Sequence, residues 1–239
     1  MLVFGDTGNT ITLAAGLTVE PYIIEAEDSG FEADIVREIF ALEGRKVRFV
    51  YQPLQRTKAS FQNGAVDGVM TIKAYHPEIQ NTFVSDEYIT YHNFAVTLQS
   101  RNLKISTVSD MNDKNVFAFQ QARFVLGKAF ELMTKNNSEY MEMSNQRNQI
   151  LMLFSRRSDV IVLDSRIFKY HYKKLRDFPS SLTKNISFEE PVIFHDLFEP
   201  SNFRMAFKTE NDRDIFDRGL KKLKESGRYN QIIESYVEE

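Results

Sequence analysis

Apolar and polar positions change period in a regular order along the chain. Thr10–Ala15 (TITLAA) is the short, mostly apolar run that a strand supplies. After a loop holding Pro21 and Tyr22, the residues Phe31, Ile35, Ile39 and Leu42 recur at helical spacing, and Gly44 follows as a helix stop. In Lys46–Tyr51, Val47, Phe49 and Tyr51 alternate with charged residues, the period of a half-buried strand. A helix through 56–62, ended by Gly64, leads into the apolar strand Gly68–Ile72. Strand, helix, strand, helix, strand predicts a parallel α/β unit, because parallel strands need crossover connections.

The middle of the chain repeats this plan. Val116–Phe119 predicts a short strand, and Val125, Leu126, Ala129, Phe130 and Met133 mark one helix after it. A helix over 144–154, capped by Ser144, runs into the buried strand 159–163 and then Asp164. FQNGAVDGVMTI and FSRRSDVIVLD share an order: a helix ending in phenylalanine, a polar turn with an aspartate, an apolar strand. That order suggests two lobes of like design. Beyond them, 203–207 reads as a strand and 212–225 as a helix. Gly227 interrupts, and Tyr229, Ile232, Ile233 and Tyr236 mark a last amphipathic helix. With no flexible linker in sight, 94–98 and 203–207 are the expected crossings between lobes.

Composition narrows the function. The chain of 239 residues has 30 basic and 33 acidic residues, a net charge of -3, with both signs mixed along it. A nucleic-acid surface would need a basic face, so no nucleic-acid partner is expected. Cysteine is absent, which removes disulfides, thiolate metal sites and a cysteine nucleophile. His76, His92, His171 and His195 have no metal-ligand spacing, and neither a P-loop, a GxGxxG nor a GxSxG motif occurs. No cofactor and no metal are expected, and no catalytic residue is assigned. Met1 to Gly5 is too short for an export leader.

Ligands of open parallel sheets bind beyond the carboxyl ends of the strands. Thr71, Lys73, Tyr75 and His76 stand at one such end, Gln120, Gln121 and Arg123 at a second, and Asp164 at a third. If the lobes face each other, these groups converge to suit a small polar or zwitterionic solute. The backbone amides around Gln121 and Arg123 can also receive an anion. Asp164 has a second role open to it, as the amino-terminal cap of the helix starting near Arg166.

GFEADIVREIFALEG, FQNGAVDG and the terminal GRYNQIIESYVEE resemble the bacterial extracellular solute-binding proteins of family 3, over nearly the whole chain. The resemblance implies the type II periplasmic-binding-protein fold. In it, two α/β lobes are joined by two hinge strands and close over ligand, the first lobe built from both chain ends. It places lobe 1 at 1–97 and 201–239 and lobe 2 at 98–200. It also implies a periplasmic, monomeric receptor for an amino acid or related compound, its leader lying outside this sequence, serving an ABC permease of the inner membrane. The ligand-binding residues expected are Tyr22, Arg56, Thr71, Lys73, Tyr75, Gln120, Gln121, Arg123 and Asp164. Tyr22 matches the family's aromatic contact, and Asp164 the carboxylate for an α-ammonium. One departure stands out: the family usually reads Thr-Pro-Glu-Arg where this chain has His76-Pro77-Glu78-Ile79, so the arginine that grips an α-carboxylate is missing. Two alternatives remain, the ligand-sensing domain of a membrane signalling protein and an enzyme on the same scaffold.

Overall fold

Gly30 is where the first helix is set. Its φ of 113° lies in the region that favours glycine, and a Cβ there would meet Tyr22 O at 2.4 Å. The chain turns at this close approach and enters α1 (Phe31–Leu42), which buries Phe31, Ile35, Val36, Ile39 and Phe40. The computed structural model describes residues 9–73, 82–181 and 183–237. Among them the chain divides into two compact units, one made of residues up to Thr90 and from Asn202 onward, the other of Tyr91–Ser201.

The first unit holds β1 (Thr10–Ala15), β2 (Lys46–Tyr51), β3 (Gly68–Ile72), β4 (Phe83–Val84) and β5 (Ile89–Tyr91). Its sheet runs β2-β1-β3-β11-β4, with β5 also on β11 (Ser201–Phe207). The strands β1, β2 and β3 are parallel, whereas β11 lies antiparallel to β3 and β4. Helix α1 and the helix α2 (Leu54–Gln62) form the predicted crossovers. Two helices from the end of the chain pack on α1, numbered below as α7 (Glu210–Glu225) and α8 (Arg228–Val237).

The second unit holds β6 (Asn93–Leu98), β7 (Val116–Phe119), β8 (Met141–Met143), β9 (Val160–Asp164) and β10 (Val192–His195), in the order β10-β6-β9-β7-β8. Its helices are α3 (Ala122–Val125), α4 (Lys128–Asn136), α5 (Gln146–Phe154) and α6 (Ser165–Asp177). Strands β7, β8 and β9 are parallel, so their carboxyl ends share one edge. The core under them gathers Met111, Val116, Ala118, Phe130, Met133, Val160 and Val162.

Several expectations are corrected here. Residues 91–97 belong to the second unit, because β6 pairs with β9 and β10. The first crossing therefore falls in β5, not at 94–98, and the second falls at the start of β11. The single helix expected after β7 is two helices, since Gly127 at φ 89° breaks the run. Helix α5 begins at Gln146 with Asn145 at its amino cap, so Ser144 is not its cap.

Candidate functional site

In the first unit the site candidates lie at the end of β3. Thr71 has φ 57°, a left-handed backbone that a β-branched residue rarely adopts. A buried network holds it there. Its hydroxyl donates to Glu32 Oε1 at 2.7 Å, and its N–H donates to the Tyr88 hydroxyl at 3.2 Å. The Tyr88 hydroxyl in turn donates to the same Glu32 oxygen. Glu32 is 0% exposed and Tyr88 1%. Burial, and then the Glu32 carboxylate, push the Tyr88 phenol well above its ordinary pKa, so it stays a donor.

Two residues on, Lys73 is exposed, with its ammonium 6.0 Å from the centre of the Phe203 ring. Arg56 is exposed in the first turn of α2. Neither pairs with an acid among the described residues. Tyr22 is core instead of an open aromatic surface: it is 0% exposed, packs on Phe31 with ring centres 4.3 Å apart, and donates to Thr90 O at 3.3 Å. Tyr75, His76 and Ile79 lie outside the described residues.

In the second unit, the shared edge of β7, β8 and β9 brings Gln120, Gln121, Arg123 and Asp164 together with one residue that sequence reasoning missed. Glu142 of β8 sits opposite Ala118 of β7 and turns its carboxylate onto the end of that strand. Its Oε2 accepts from Gln121 N at 2.8 Å, and its Oε1 accepts from Arg123 N and Nε, each at 3.3 Å. The Tyr140 hydroxyl adds a further bond at 2.8 Å. Burial opposes ionisation of Glu142, but the bonds from Gln121 N and Tyr140 and the Arg123 charge offset it, and its pKa is lowered. Gln121 adopts φ 68° to present its N–H. Gln120 is exposed, and beside it Phe124 is 73% exposed.

Asp164 is 1% exposed and caps α6: Oδ1 accepts from Arg166 N at 2.8 Å and Ile167 N at 3.2 Å, while Oδ2 accepts from His92 N at 2.8 Å. Capping is thus a role the structure gives it. Gln149 of α5 is also missed by the sequence reading. It is fully buried, and its amide nitrogen bonds Val162 O while its oxygen accepts from Phe119 N, both at 3.1 Å, the orientation in which the partners are complementary. A side chain here bridges β7 and β9 near their carboxyl ends.

A model of the bacterial extracellular solute-binding proteins, family 3, matches residues 11–239. The chain belongs to that family. No curated protein matches it significantly. Among solved structures of family-like fold is a polar amino acid ABC uptake transporter substrate-binding protein from Streptococcus thermophilus. It has 17% identity and a TM-score of 0.69, with 96% of this chain and 86% of that one covered. The GluR0 ligand-binding core complexed with L-glutamate has 13% identity and a TM-score of 0.70, covering 95% and 98%. The ancestral amino acid-binding protein AncCDT-1, a precursor of cyclohexadienyl dehydratase, has 21% identity and a TM-score of 0.67, covering 96% of each chain. At these identities the likeness is one of fold, and it is the type II periplasmic-binding-protein fold.

What the family-3 signal rests on is visible in the units themselves. GFEADIVREIFALEG forms the turn at Gly30 and α1, and GRYNQIIESYVEE begins the helix α8 that packs on it. Tyr236 of that helix accepts from Gly30 N at 3.1 Å, which ties the two motifs together.

Proposed function

We propose that this family-3 protein is a non-catalytic receptor that captures a small polar solute by hinge closure and delivers it to an ABC permease. In this reading it works in the periplasm as a monomer. The observation that carries the reading is family membership over 11–239, joined to parallel strands that end in polar side chains in each unit. Arg56, Thr71 and Lys73 of the first unit and Gln120, Arg123 and Asp164 of the second are the proposed contacts, with Gln121 offering its backbone. Tyr22 and Tyr75 keep a place only as supports of that surface. Binding would act as a population shift, because a solute favours whichever conformer lets more of these groups reach it.

Thermal unfolding with a panel of amino acids, amines, neutral amides and small acids tests the reading. A ligand present at 100 times its Kd stabilises the folded state by about 2.7 kcal/mol, an easily read shift. A panel in which no solute raises the melting temperature rejects the receptor. The likeness to the GluR0 ligand-binding core favours a second reading, the sensory domain of a membrane signalling protein. Reading the coding sequence beyond Glu239 separates the two: a membrane span and a signalling domain there decide for the sensor. The enzyme alternative has support in the likeness to AncCDT-1, and turnover of a bound solute would establish it.

A further inference from the structure

We infer that Glu142 is a built-in anion occupying the place at the end of β7 where a ligand carboxylate would be received, so that the protein selects organic amines over the corresponding amino acids. The inference rests on the receptor reading above and specifies its solute.

The backbone N–H groups of Gln121 and Arg123 are the donors that the end of β7 offers to an anion. Both are already given to one carboxylate, Glu142, with bonds of 2.8 and 3.3 Å. The guanidinium of Arg123, the cation that a ligand carboxylate would seek at this edge, is paired with the same group at 3.3 Å. The Glu142 side chain is only 13% exposed, whereas Arg123 is 49% exposed, so the acid is the embedded partner. Tyr140 closes the remaining side of the carboxylate. A second anion brought to these donors would have to displace Glu142 or share them against its charge, and like charges at that distance repel strongly in a partly buried site.

The rest of the edge has the same sign. Asp164, at the end of the neighbouring strand, spends its carboxylate on three backbone N–H groups, with no cation needed to hold it. The edge therefore carries two acids, Glu142 and Asp164, against one base, Arg123. A cationic head fits that balance, with the exposed Phe124 ring beside it for an aliphatic or aromatic body. The alternative anchor for a carboxylate is the pair of first-unit cations without acidic partners, Lys73 and Arg56, and the experiment separates the two.

Calorimetric titration compares agmatine with arginine, cadaverine with lysine and histamine with histidine, on the wild-type chain and on Glu142→Ala and Glu142→Gln. At least one amine should bind the wild type on the order of tenfold more tightly than its parent amino acid, the scale of one charge-assisted hydrogen bond. In Glu142→Ala the freed amides and Arg123 should narrow or reverse that ratio, and acetate should raise the melting temperature of this variant but not of the wild type. Should Glu142→Ala fail to fold, Glu142→Gln decides, because its carbonyl can still accept one bond while the charge is gone. Amino acids binding the wild type as tightly as the amines, with a ratio unmoved by either variant, would overturn the inference and leave the receptor standing on Lys73 or Arg56. Binding of a small acid or neutral solute alone would also overturn it. No binding by any solute of the wider panel would remove the receptor itself, and the inference with it.

Discussion

At the scale of single residues, the candidate site is held by groups that are themselves held. Thr71 keeps a left-handed backbone that costs on the order of 1–3 kcal/mol, and it persists because Glu32 and Tyr88 fix its hydroxyl and its N–H. Asp164 is fixed by three N–H donors before any solute arrives. This double duty can be split by substitution. Asparagine caps helices nearly as well as aspartate, so Asp164→Asn should change stability by less than about 1 kcal/mol, while Asp164→Ala loses about 1–2 kcal/mol. Denaturant unfolding measures both. If the charge of Asp164 also holds the ammonium of a solute, Asp164→Asn should nonetheless lose most of the binding. Lys73 and Asp164 were legible in the sequence because each directly ends an apolar run. Glu142 was not, because Tyr140-Met141-Glu142-Met143 is too short a stretch for its alternation to declare a strand. Tyr22 was misread as an open aromatic, since its burial depends on Phe31 and the carbonyl of Thr90, and neither neighbour can be inferred from position alone.

Among elements, the long periodic ones could be read and the short ones could not. The stripe Phe31, Ile35, Ile39 marks α1 because it meets the sheet and α7 on one face, and burial enforces that period. The strands β4, β5, β8 and β10 have two to four residues, and their pairing partners lie far along the chain, so local pattern carries little trace of them. The packing of α1 against α7 depends on Gly219, where a Cβ would meet Ile39 O at 2.6 Å and Ile39 Cγ2 at 2.9 Å. Alanine improves helix propensity by about 1 kcal/mol, but forcing the helices apart costs typically about 1–3 kcal/mol. Gly219→Ala should therefore destabilise the protein on balance, lowering the midpoint of denaturant unfolding. A rise in that midpoint would mean that α7 can shift away from α1 at little cost.

For the whole molecule, the division into two units was anticipated from the repeated helix–turn–strand order, while the crossing was placed a few residues late. The reason is β6: its apolar run Phe94–Leu98 reads equally well as a connector or as a sheet member, and only its pairing with β9 and β10 decides. Acid sensitivity is also a property of the whole chain, and His171 contributes to it. It is 7% exposed in α6, and burial, with smaller repulsions from Lys174 and Arg147, lowers its pKa from 6.5 to about 4. The unfolded chain thus binds a proton more readily than the folded one, and stability falls as pH drops from about 6.5 toward about 4. The full contribution is at most about 3 kcal/mol. His171→Gln should flatten the dependence of melting temperature on pH across that window, whatever it does to the melting temperature at neutral pH.

Gln149 has a consequence of its own. Where β7 and β9 draw near their tips, the amide proton of Phe119 is guarded by a side chain reaching in from α5, not by a neighbouring backbone carbonyl. Its exchange with deuterated solvent then depends on how long that one amide group stays seated. The rate becomes a resident gauge of strain at the tip of β7, two residues from the N–H that Glu142 holds.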